Sequence, residues 1–118
     1  MTGLTFVFNS CQSQSSRLTP NDFEKAISKS NVQLIDIRTP EEFSRGHIKN
    51  AKNIDFYSSD FQDQISKLDK KQPLYIYCAS GNRSGQALKQ LSKLSFKEFG
   101  DLEGGIKAWN QAQKKIIN

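Results

Sequence analysis

Short apolar runs recur along the chain and predict its β-strands. Residues 32–37 (VQLIDI) and 74–77 (LYIY) are brief and mostly apolar, which is typical of strands buried in a sheet. Residues 98–102 are also strand-like, and residues 51–54 predict a minor strand. Each run is separated from the next by a longer segment with a different periodicity.

Those longer segments predict helices. The clearest start is Thr19 followed by Pro20, an N-cap and a first helical residue, and this helix is expected to end near Ser30. Thr39 begins a second helix in the same way, with a glutamate at the third helical position, and that helix stops at Gly46. Further helices are predicted around residues 61–68, over residues 84–94 and from residue 106 onward.

The order of these elements predicts an α/β fold. Strands that alternate with helices favour a mostly parallel sheet with helices on both faces. A chain of 118 residues is close to the usual size of one domain and leaves no room for a second hydrophobic core. We therefore expect one domain over residues 18–118, preceded by a separate segment over residues 1–17.

This amino-terminal segment is apolar up to Phe8 and rich in serine and glutamine after it. The apolar part is shorter than the about 20 residues that span a bilayer, and no basic residue precedes it. Ser10 before Cys11 and the serine-rich stretch that follows are nevertheless similar to the end of a bacterial lipoprotein signal. Phe8 and Asn9 depart from that pattern.

Two interpretations of Cys11 are therefore open. A lipidated Cys11 would tether the protein to a membrane and place it in the periplasm, whereas a free thiol in an unstructured tail fits a cytoplasmic protein. Fatty-acid labelling of the native protein and of a Cys11→Ala variant distinguishes the two.

The charge of the chain favours anionic partners without naming one. Lys and Arg total 17 against 12 Asp and Glu, which gives a formal charge of +5. The lysines are spread among polar neighbours and form no dense basic run, so we interpret them as a solvated face. We expect no nucleic-acid partner, and a small anion fits the charge better.

Cys78 lies where the strand of residues 74–77 ends and a helix begins, at the sheet edge where α/β proteins place their sites. The residues after it can curl so that their N–H groups face inward, and Gly81 permits the backbone angles that this requires. Such a nest favours the thiolate form of Cys78, and Arg83 adds a planar cation suited to oxyanions. Ser84 is expected to cap the helix that follows.

Cys78 and Arg83 each also have a simpler, purely structural explanation. Cys78 would serve equally as a buried structural thiol, and Arg83 as a surface ion-pair residue. The glycine and the arginine at these offsets from the cysteine favour a site. The only other cysteine is Cys11, in a different context, so no disulfide framework is indicated.

Three separated motifs resemble the rhodanese homology domain, over a match from about residue 19 to residue 109. They are residues 36–43 (DIRTPEEF) leading to 46–48 (GHI), residues 78–84 (CASGNRS), and residues 102–106 (LEGGI) with Trp109. Each motif alone is weak. Their order and spacing together make a chance match improbable.

The resemblance implies a five-stranded parallel sheet and a cysteine that forms a persulfide. By position, Cys78 becomes the catalytic nucleophile, and Arg83 the contact for the anionic end of a sulfur donor. The backbone that binds the substrate would be that of Ala79, Ser80, Gly81, Asn82 and Arg83. The implied donor is thiosulfate or a similar small sulfur-containing anion, and the acceptor is a thiol or cyanide. We expect a monomer without a cofactor.

The remaining polar residues of the motifs are interpreted as structural. Asp36, Arg38, Glu42 and His47 are assigned to ion pairs and hydrogen bonds, because an ionised thiol needs no dedicated base. One histidine and two distant cysteines indicate no metal site. The pair of glycines at 104 and 105 is expected to open the last helix, and Trp109 to lie in the core.

Two alternative functions compete with sulfur transfer. Phosphatases and arsenate reductases also hold a cysteine and an arginine in an anion-binding loop, but they place five residues between the two, whereas four lie between Cys78 and Arg83. The smaller loop suits a sulfur atom better than a tetrahedral oxyanion. A non-catalytic binding module is the other alternative, although such modules typically lose the cysteine or the glycine of the loop.

Overall fold

Helices and strands alternate throughout the part of the chain that a computed structural model describes, residues 14–118. The strands are β1 (Gln14–Leu18), β2 (Gln33–Asp36), β3 (Lys52–Asn53), β4 (Leu74–Tyr77) and β5 (Glu98–Leu102). The helices are α1 (Pro20–Ile27), α2 (Pro40–Ser44), α3 (Phe61–Ser66), α4 (Asn82–Leu91) and α5 (Gly105–Gln111). The alternation predicted from the sequence is confirmed.

The five strands form one parallel sheet in the order β1-β5-β4-β2-β3. β4 occupies the centre, where it pairs with β5 on one side and with β2 on the other. Because all strands run in the same direction, their carboxyl ends meet at one edge of the sheet. Cys78 directly follows β4 and therefore lies at the middle of that edge.

Alternate residues of the central strands face two separate cores. On one face Leu34 and Tyr75 pack with Phe23 of α1 and Trp109 of α5. On the other face lies the cluster that α3 and α4 cover, whose fully buried members include Ile35, Ile76, Cys78, Ala87 and Phe99. Helices on both faces and a buried Trp109 agree with the sequence analysis. Burial on both faces also explains why β4 is apolar at every position.

The two predicted N-caps are present. Thr39 accepts a hydrogen bond from the backbone N–H of Glu42, while the Glu42 carboxylate accepts one from the N–H of Thr39. Thr19 caps α1 through the N–H of Asp22. The capping box places Glu42 at the start of α2, close to the carboxyl edge of the sheet.

β1 is a correction to the sequence analysis. Residues 1–17 were expected to form a separate segment before the domain, yet residues 14–17 pair with β5 as part of the first strand. β1 is an edge strand whose side chains at residues 15–17 are exposed, so its sequence lacks the apolar run that reveals a buried strand. Cys11 lies outside the described residues. Within residues 14–118, no helix combines the length and the apolar character needed to cross a membrane.

The start of α4 is a second correction. Ser84 was expected to cap this helix, but α4 begins at Asn82 and Ser84 is its third residue, buried within the first turn. The N-cap is Gly81, whose φ of 96° lies in the left-handed region that glycine adopts without strain. The loop after β4 is therefore tighter than the sequence suggested, and the Ser84 side chain points into the protein.

Candidate active site

The sulfur of Cys78 lies at the centre of a tight loop between β4 and α4. It accepts hydrogen bonds from two backbone N–H groups, that of Gly81 at 3.1 Å and that of Ser84 at 3.3 Å. Cys78 itself is fully buried. Two N–H dipoles directed at one sulfur stabilise negative charge on it, as an anion-binding nest does. Of these two residues, Gly81 belongs to the stretch whose N–H groups were expected to face inward, whereas Ser84 lies just beyond it.

Helix α5 fixes the orientation of this loop from outside. The N–H of Ile106 donates to the carbonyl oxygen of Cys78 at 2.9 Å, and the N–H of Lys107 donates to that of Ala79 at 3.0 Å. These donors belong to the first turn of α5, where backbone N–H groups have no partner within the helix. The carbonyls of Cys78 and Ala79 consequently face α5, whereas that of Gly81 accepts from Arg17 and from the N–H of Gly85.

Gly105 is what allows α5 to approach so closely. Its φ is 64°, and a Cβ at this position would lie 2.4 Å from the carbonyl oxygen of Ala79 and 2.6 Å from that of Cys78. The sequence predicted that the glycine pair opens the last helix, and the structure confirms this, with Gly104 as N-cap. The close packing of Gly105 against the cysteine loop could not be predicted, because the two segments are far apart in the sequence.

Arg83 projects from α4 toward α2 and pairs with Glu42. Its two terminal nitrogens donate to the two carboxylate oxygens of Glu42 at 2.9 and 3.0 Å, in a bidentate arrangement. The Arg83 guanidinium also lies 5.5 Å from the ring centre of Tyr57, an exposed aromatic residue. The hydrogen bonds from Arg83 are the largest cause that lowers the pKa of Glu42, to about 2. Glu42 was expected to be structural, and its partner is the arginine of the candidate site.

A second group of charged residues lies behind the sulfur and escaped the sequence analysis. Ser84 Oγ donates to Asp101 at 2.5 Å, and the thiol of Cys78 donates to the same Ser84 oxygen at 3.6 Å. Arg17 of β1 pairs with Asp101 and also donates to the carbonyl oxygen of Gly81 at 2.7 Å. Arg17 and Asp101 are register partners on β1 and β5, so only the pairing of these strands reveals the contact.

The other polar residues of the first motif are structural, as interpreted from the sequence. Arg38 forms a buried ion pair with Asp36 at 2.7 Å and donates to the carbonyl oxygen of Gly46 at 2.6 Å. The His47 ring stacks on Phe43 with 3.9 Å between ring centres. These contacts hold the loop after α2 rather than the cysteine loop.

A groove of about 460 Å³ opens on a different part of the surface. It is lined by residues of α1, of the loop at 48–50 and of the carboxyl-terminal region, including Ile27, Lys49 and Trp109. No residue of the cysteine loop contributes to it. Cys78 and its hydrogen-bonding partners therefore lie apart from this groove, at the carboxyl edge of the sheet.

The structure thus describes a parallel α/β domain in which a buried cysteine, directly after the central strand, accepts hydrogen bonds from the backbone of the following loop and helix. Residues 19–112 match the family model described as the Rhodanese-like domain. The chain belongs to this family, as the three motifs predicted.

Two bacterial proteins are similar to this chain over most of its length. The chain is 38% identical over 92 residues to the uncharacterized protein YqhL of Bacillus subtilis, which covers 78% of this chain and 70% of that protein. It is 33% identical over 97 residues to the protein named thiosulfate sulfurtransferase GlpE of Ectopseudomonas mendocina, covering 82% of this chain and 86% of that one.

Solved structures show the same fold. The chain is similar to a rhodanese-related protein of Thermoplasma volcanium, with a TM-score of 0.76, 29% identity and coverage of 86% of this chain and 96% of that chain. It is also similar to a rhodanese-like domain protein of Staphylococcus aureus, with a TM-score of 0.68, 32% identity and coverage of 81% and 90%.

Gly105→Ala is expected to displace the cysteine loop. The added Cβ would meet the carbonyl oxygens of Ala79 and Cys78 well inside van der Waals contact, at a backbone conformation that alanine disfavours. We expect a loss of about 2 kcal/mol or more in the free energy of unfolding, measured by urea denaturation.

Gly85→Ala is the matched control, because its Cβ would meet only the end of the Arg17 side chain at 3.4 Å. In the first half of α4, this change should leave stability equal or raise it by up to about 1 kcal/mol. Equal stabilities for the two variants would mean that α5 does not hold the loop.

The Arg83–Glu42 pair predicts a pH-dependent stability. The pKa of Glu42 is about 2 in the folded protein against 4.5 as its ordinary value. A depressed carboxylate pKa contributes stability that is present above the unfolded value and is lost as the pH falls toward the folded value. Glu42→Gln should therefore cost roughly 2–3 kcal/mol at pH 7, and about half of that difference should be gone at pH 3.

Urea denaturation of both proteins across this pH range measures the effect. Asp63→Asn, which removes the partner of Lys67 in an exposed ion pair, is the control and should not reproduce the pH dependence. A difference between native protein and Glu42→Gln that stays constant from pH 7 to pH 3 contradicts the assignment.

Proposed function

We propose that the protein is a sulfurtransferase that carries a sulfur atom on Cys78. The Cys78 thiolate attacks the outer sulfur of thiosulfate, a new S–S bond forms, and the S–S bond of the donor breaks with its electron pair leaving on sulfite. The product on the protein is a Cys78 persulfide anion. An acceptor thiolate or cyanide then attacks the outer sulfur, and Cys78 leaves as the thiolate.

The observation that carries this proposal is the pair of N–H groups, from Gly81 and Ser84, on the Cys78 sulfur. They stabilise the thiolate that attacks and the same thiolate when it leaves. Helix α5 already holds the carbonyls of Cys78 and Ala79, so the loop backbone needs no reorientation during the reaction.

The substrate cradle is proposed to be the loop backbone of Ala79, Ser80, Gly81, Asn82 and Arg83. Asn82 and Arg83 are the first two residues of α4, whose N–H groups have no acceptor within the helix and are suited to the outer sulfur. Ser80 and Asn82 are the exposed residues of the loop, so a donor would approach the buried cysteine past them.

The relatives support the choice of donor. Proteins named thiosulfate sulfurtransferase GlpE, 31–33% identical to this chain, are similar to it over about four-fifths of its length. The loop of this chain retains the cysteine, the glycine and the arginine that a catalytic version needs. Thiosulfate is accordingly the first donor to test, with a thiol or cyanide as acceptor and without a cofactor.

Arg83 is proposed to contact the sulfonate end of the donor despite its pairing with Glu42. A guanidinium has five N–H donors, and the bidentate pair uses two of them. The remaining donors still fit an oxyanion, but the Glu42 carboxylate offsets the charge of Arg83. Glu42 therefore weakens the attraction of Arg83 for an anionic donor and at the same time orients it.

Incubation with thiosulfate is expected to add one sulfur atom to the native protein, seen by intact-mass measurement. Cyanide or a small thiol should then remove it, with continued turnover when both substrates are present. Cys78→Ser should gain no sulfur because it lacks the nucleophile.

Cys11→Ser is the matched control, since Cys11 is the only other thiol of the chain. It should take up sulfur as the native protein does. Absence of sulfur uptake from thiosulfate and from persulfide donors by the folded native protein would refute the proposal. Hydrolysis of a phosphate ester by the same sample would instead support the phosphatase alternative.

Variants at the Arg83–Glu42 pair should change the Michaelis constant for thiosulfate in opposite directions. Arg83→Ala removes the proposed donor contact, and we expect KM to rise by about tenfold. Glu42→Gln keeps a side chain of the same size but frees the charge of Arg83, so KM should fall several-fold.

Steady-state kinetics with cyanide as acceptor measure both effects, and the KM for cyanide in the same experiments is the internal reference. An unchanged KM for thiosulfate in Arg83→Ala would assign Arg83 to holding α2 alone.

A further inference from the structure

The Ser84 hydroxyl lies between the Cys78 sulfur and a buried carboxylate. Its oxygen is 3.6 Å from the sulfur and 2.5 Å from Oδ2 of Asp101. All three residues are fully buried. The thiol donates to Ser84 Oγ, and the hydroxyl of Ser84 has two acceptors in reach, Oδ2 of Asp101 and the carbonyl oxygen of Gly81 at 3.4 Å. The carboxylate is much the closer of the two, so the single proton of the hydroxyl is directed at Asp101. A continuous chain of hydrogen bonds thus runs from the sulfur to the carboxylate.

Arg17 holds the carboxylate at the far end of this chain. Its Nε donates to Oδ1 of Asp101 at 2.9 Å, and a terminal nitrogen donates to Oδ2 at 2.7 Å. The same terminal nitrogen reaches the carbonyl oxygen of Gly81 at 2.7 Å. Arg17 therefore connects β1 with β5 and with the loop that surrounds the sulfur.

Once the thiol has ionised, the single proton of the Ser84 hydroxyl has two anionic acceptors, the Cys78 sulfur and the Asp101 carboxylate, besides the more distant carbonyl oxygen of Gly81. While Cys78 is a thiol, Ser84 Oγ accepts a hydrogen bond from it and donates one to Asp101. When Cys78 is a thiolate, the lone pair of Ser84 would face a negative charge unless the hydroxyl rotates toward the sulfur. Rotation leaves Oδ2 of Asp101 with its hydrogen bond from Arg17, so no buried carboxylate oxygen loses its last partner.

We propose that Ser84 is a catalytic residue whose hydroxyl reverses its direction with the charge on Cys78, and that Asp101 and Arg17 are the positioning residues that permit the reversal. This inference rests on the proposed sulfur transfer through Cys78. The thiol proton passes to a base in solution, and Ser84 then supplies a third hydrogen bond to the sulfur. The same bond forms again when Cys78 leaves as a thiolate in the second half of the reaction.

The charged groups around the loop make the Ser84 hydroxyl important as a hydrogen-bond donor to the sulfur. The titratable or charged side chains near it are those of Arg17, Glu42, Tyr57, Arg83, Asp101 and Glu103, and α5 adds Lys107 in its first turn. The two arginines are each paired with a carboxylate. Much of their positive charge is therefore offset, and hydrogen-bond donors gain weight in stabilising the anionic sulfur.

The test is a pH titration of Cys78 in protein that carries Cys11→Ala. The ultraviolet absorbance of the thiolate is the readout, and the signal of the Cys78→Ser protein is subtracted as background. Ser84→Ala should move the midpoint of this titration to higher pH by about one to two units, because a hydrogen bond to a charged group is lost. Sulfur transfer measured below that midpoint should slow by about tenfold or more.

Asp101→Asn should move the midpoint in the opposite direction, to lower pH. The neutral amide competes less strongly for the Ser84 hydroxyl, and Arg17 keeps its charge without a carboxylate partner. If the two substitutions only loosened the loop, both would shift the titration midpoint in the same direction. Ser92→Ala, which removes an exposed hydroxyl just beyond α4, is the matched control and should titrate as the parent protein does.

The titration needs no sulfur donor, so it separates this inference from the proposed function. Shifted midpoints in a protein that takes up no sulfur would support the role of Ser84 at the cysteine and reject the transfer reaction. A Ser84→Ala midpoint equal to that of the parent, or shifts of the same sign in Ser84→Ala and Asp101→Asn, would overturn the inference.

Discussion

Helix α5 fixes the direction of the first two peptide groups of the cysteine loop by binding their carbonyls. Ile106 and Lys107 hold the carbonyl oxygens of Cys78 and Ala79 from outside, so the turn of the chain between them and α4 brings N–H groups to the sulfur. This contact requires a helix start without a side chain, which Gly105 provides. The anion cradle is therefore a consequence of how the last helix packs, and the small side chains of the loop add little to it.

Two ion pairs attach this cradle to the rest of the sheet edge. Glu42 binds Arg83 from α2, and Asp101 binds Arg17 across β5 and β1. Each pair fixes a different side of the loop, and each offsets a positive charge close to the sulfur. Backbone dipoles and the Ser84 hydroxyl then carry much of the stabilisation of the anionic sulfur. In the proposed reaction, the outer sulfur of the donor lies at Cys78, and the more highly charged end of the donor is directed toward Arg83.

Much of the fold could be predicted because buried parallel strands are apolar runs and helix starts carry recognisable caps. β4 and β5 have the bounds that the sequence indicated, and Cys78 follows β4 as expected. β1 could not be recognised, since an edge strand gains its stability from backbone pairing and its polar side chains resemble a linker. Ser84 was misplaced for a related reason, because Gly81 already ends the loop and moves the start of α4 toward Cys78.

The residues that no local pattern could reveal are those that meet through the register of β1 and β5. The family match begins at residue 19, so it includes Ser84 and Asp101 but not Arg17. The cysteine loop and its support by α5 thus lie within the matched region, whereas the cation that holds Asp101 comes from the strand before it. Because this cation decides how firmly the carboxylate competes for the Ser84 hydroxyl, β1 contributes to the chemistry at Cys78 as well as to the edge of the sheet.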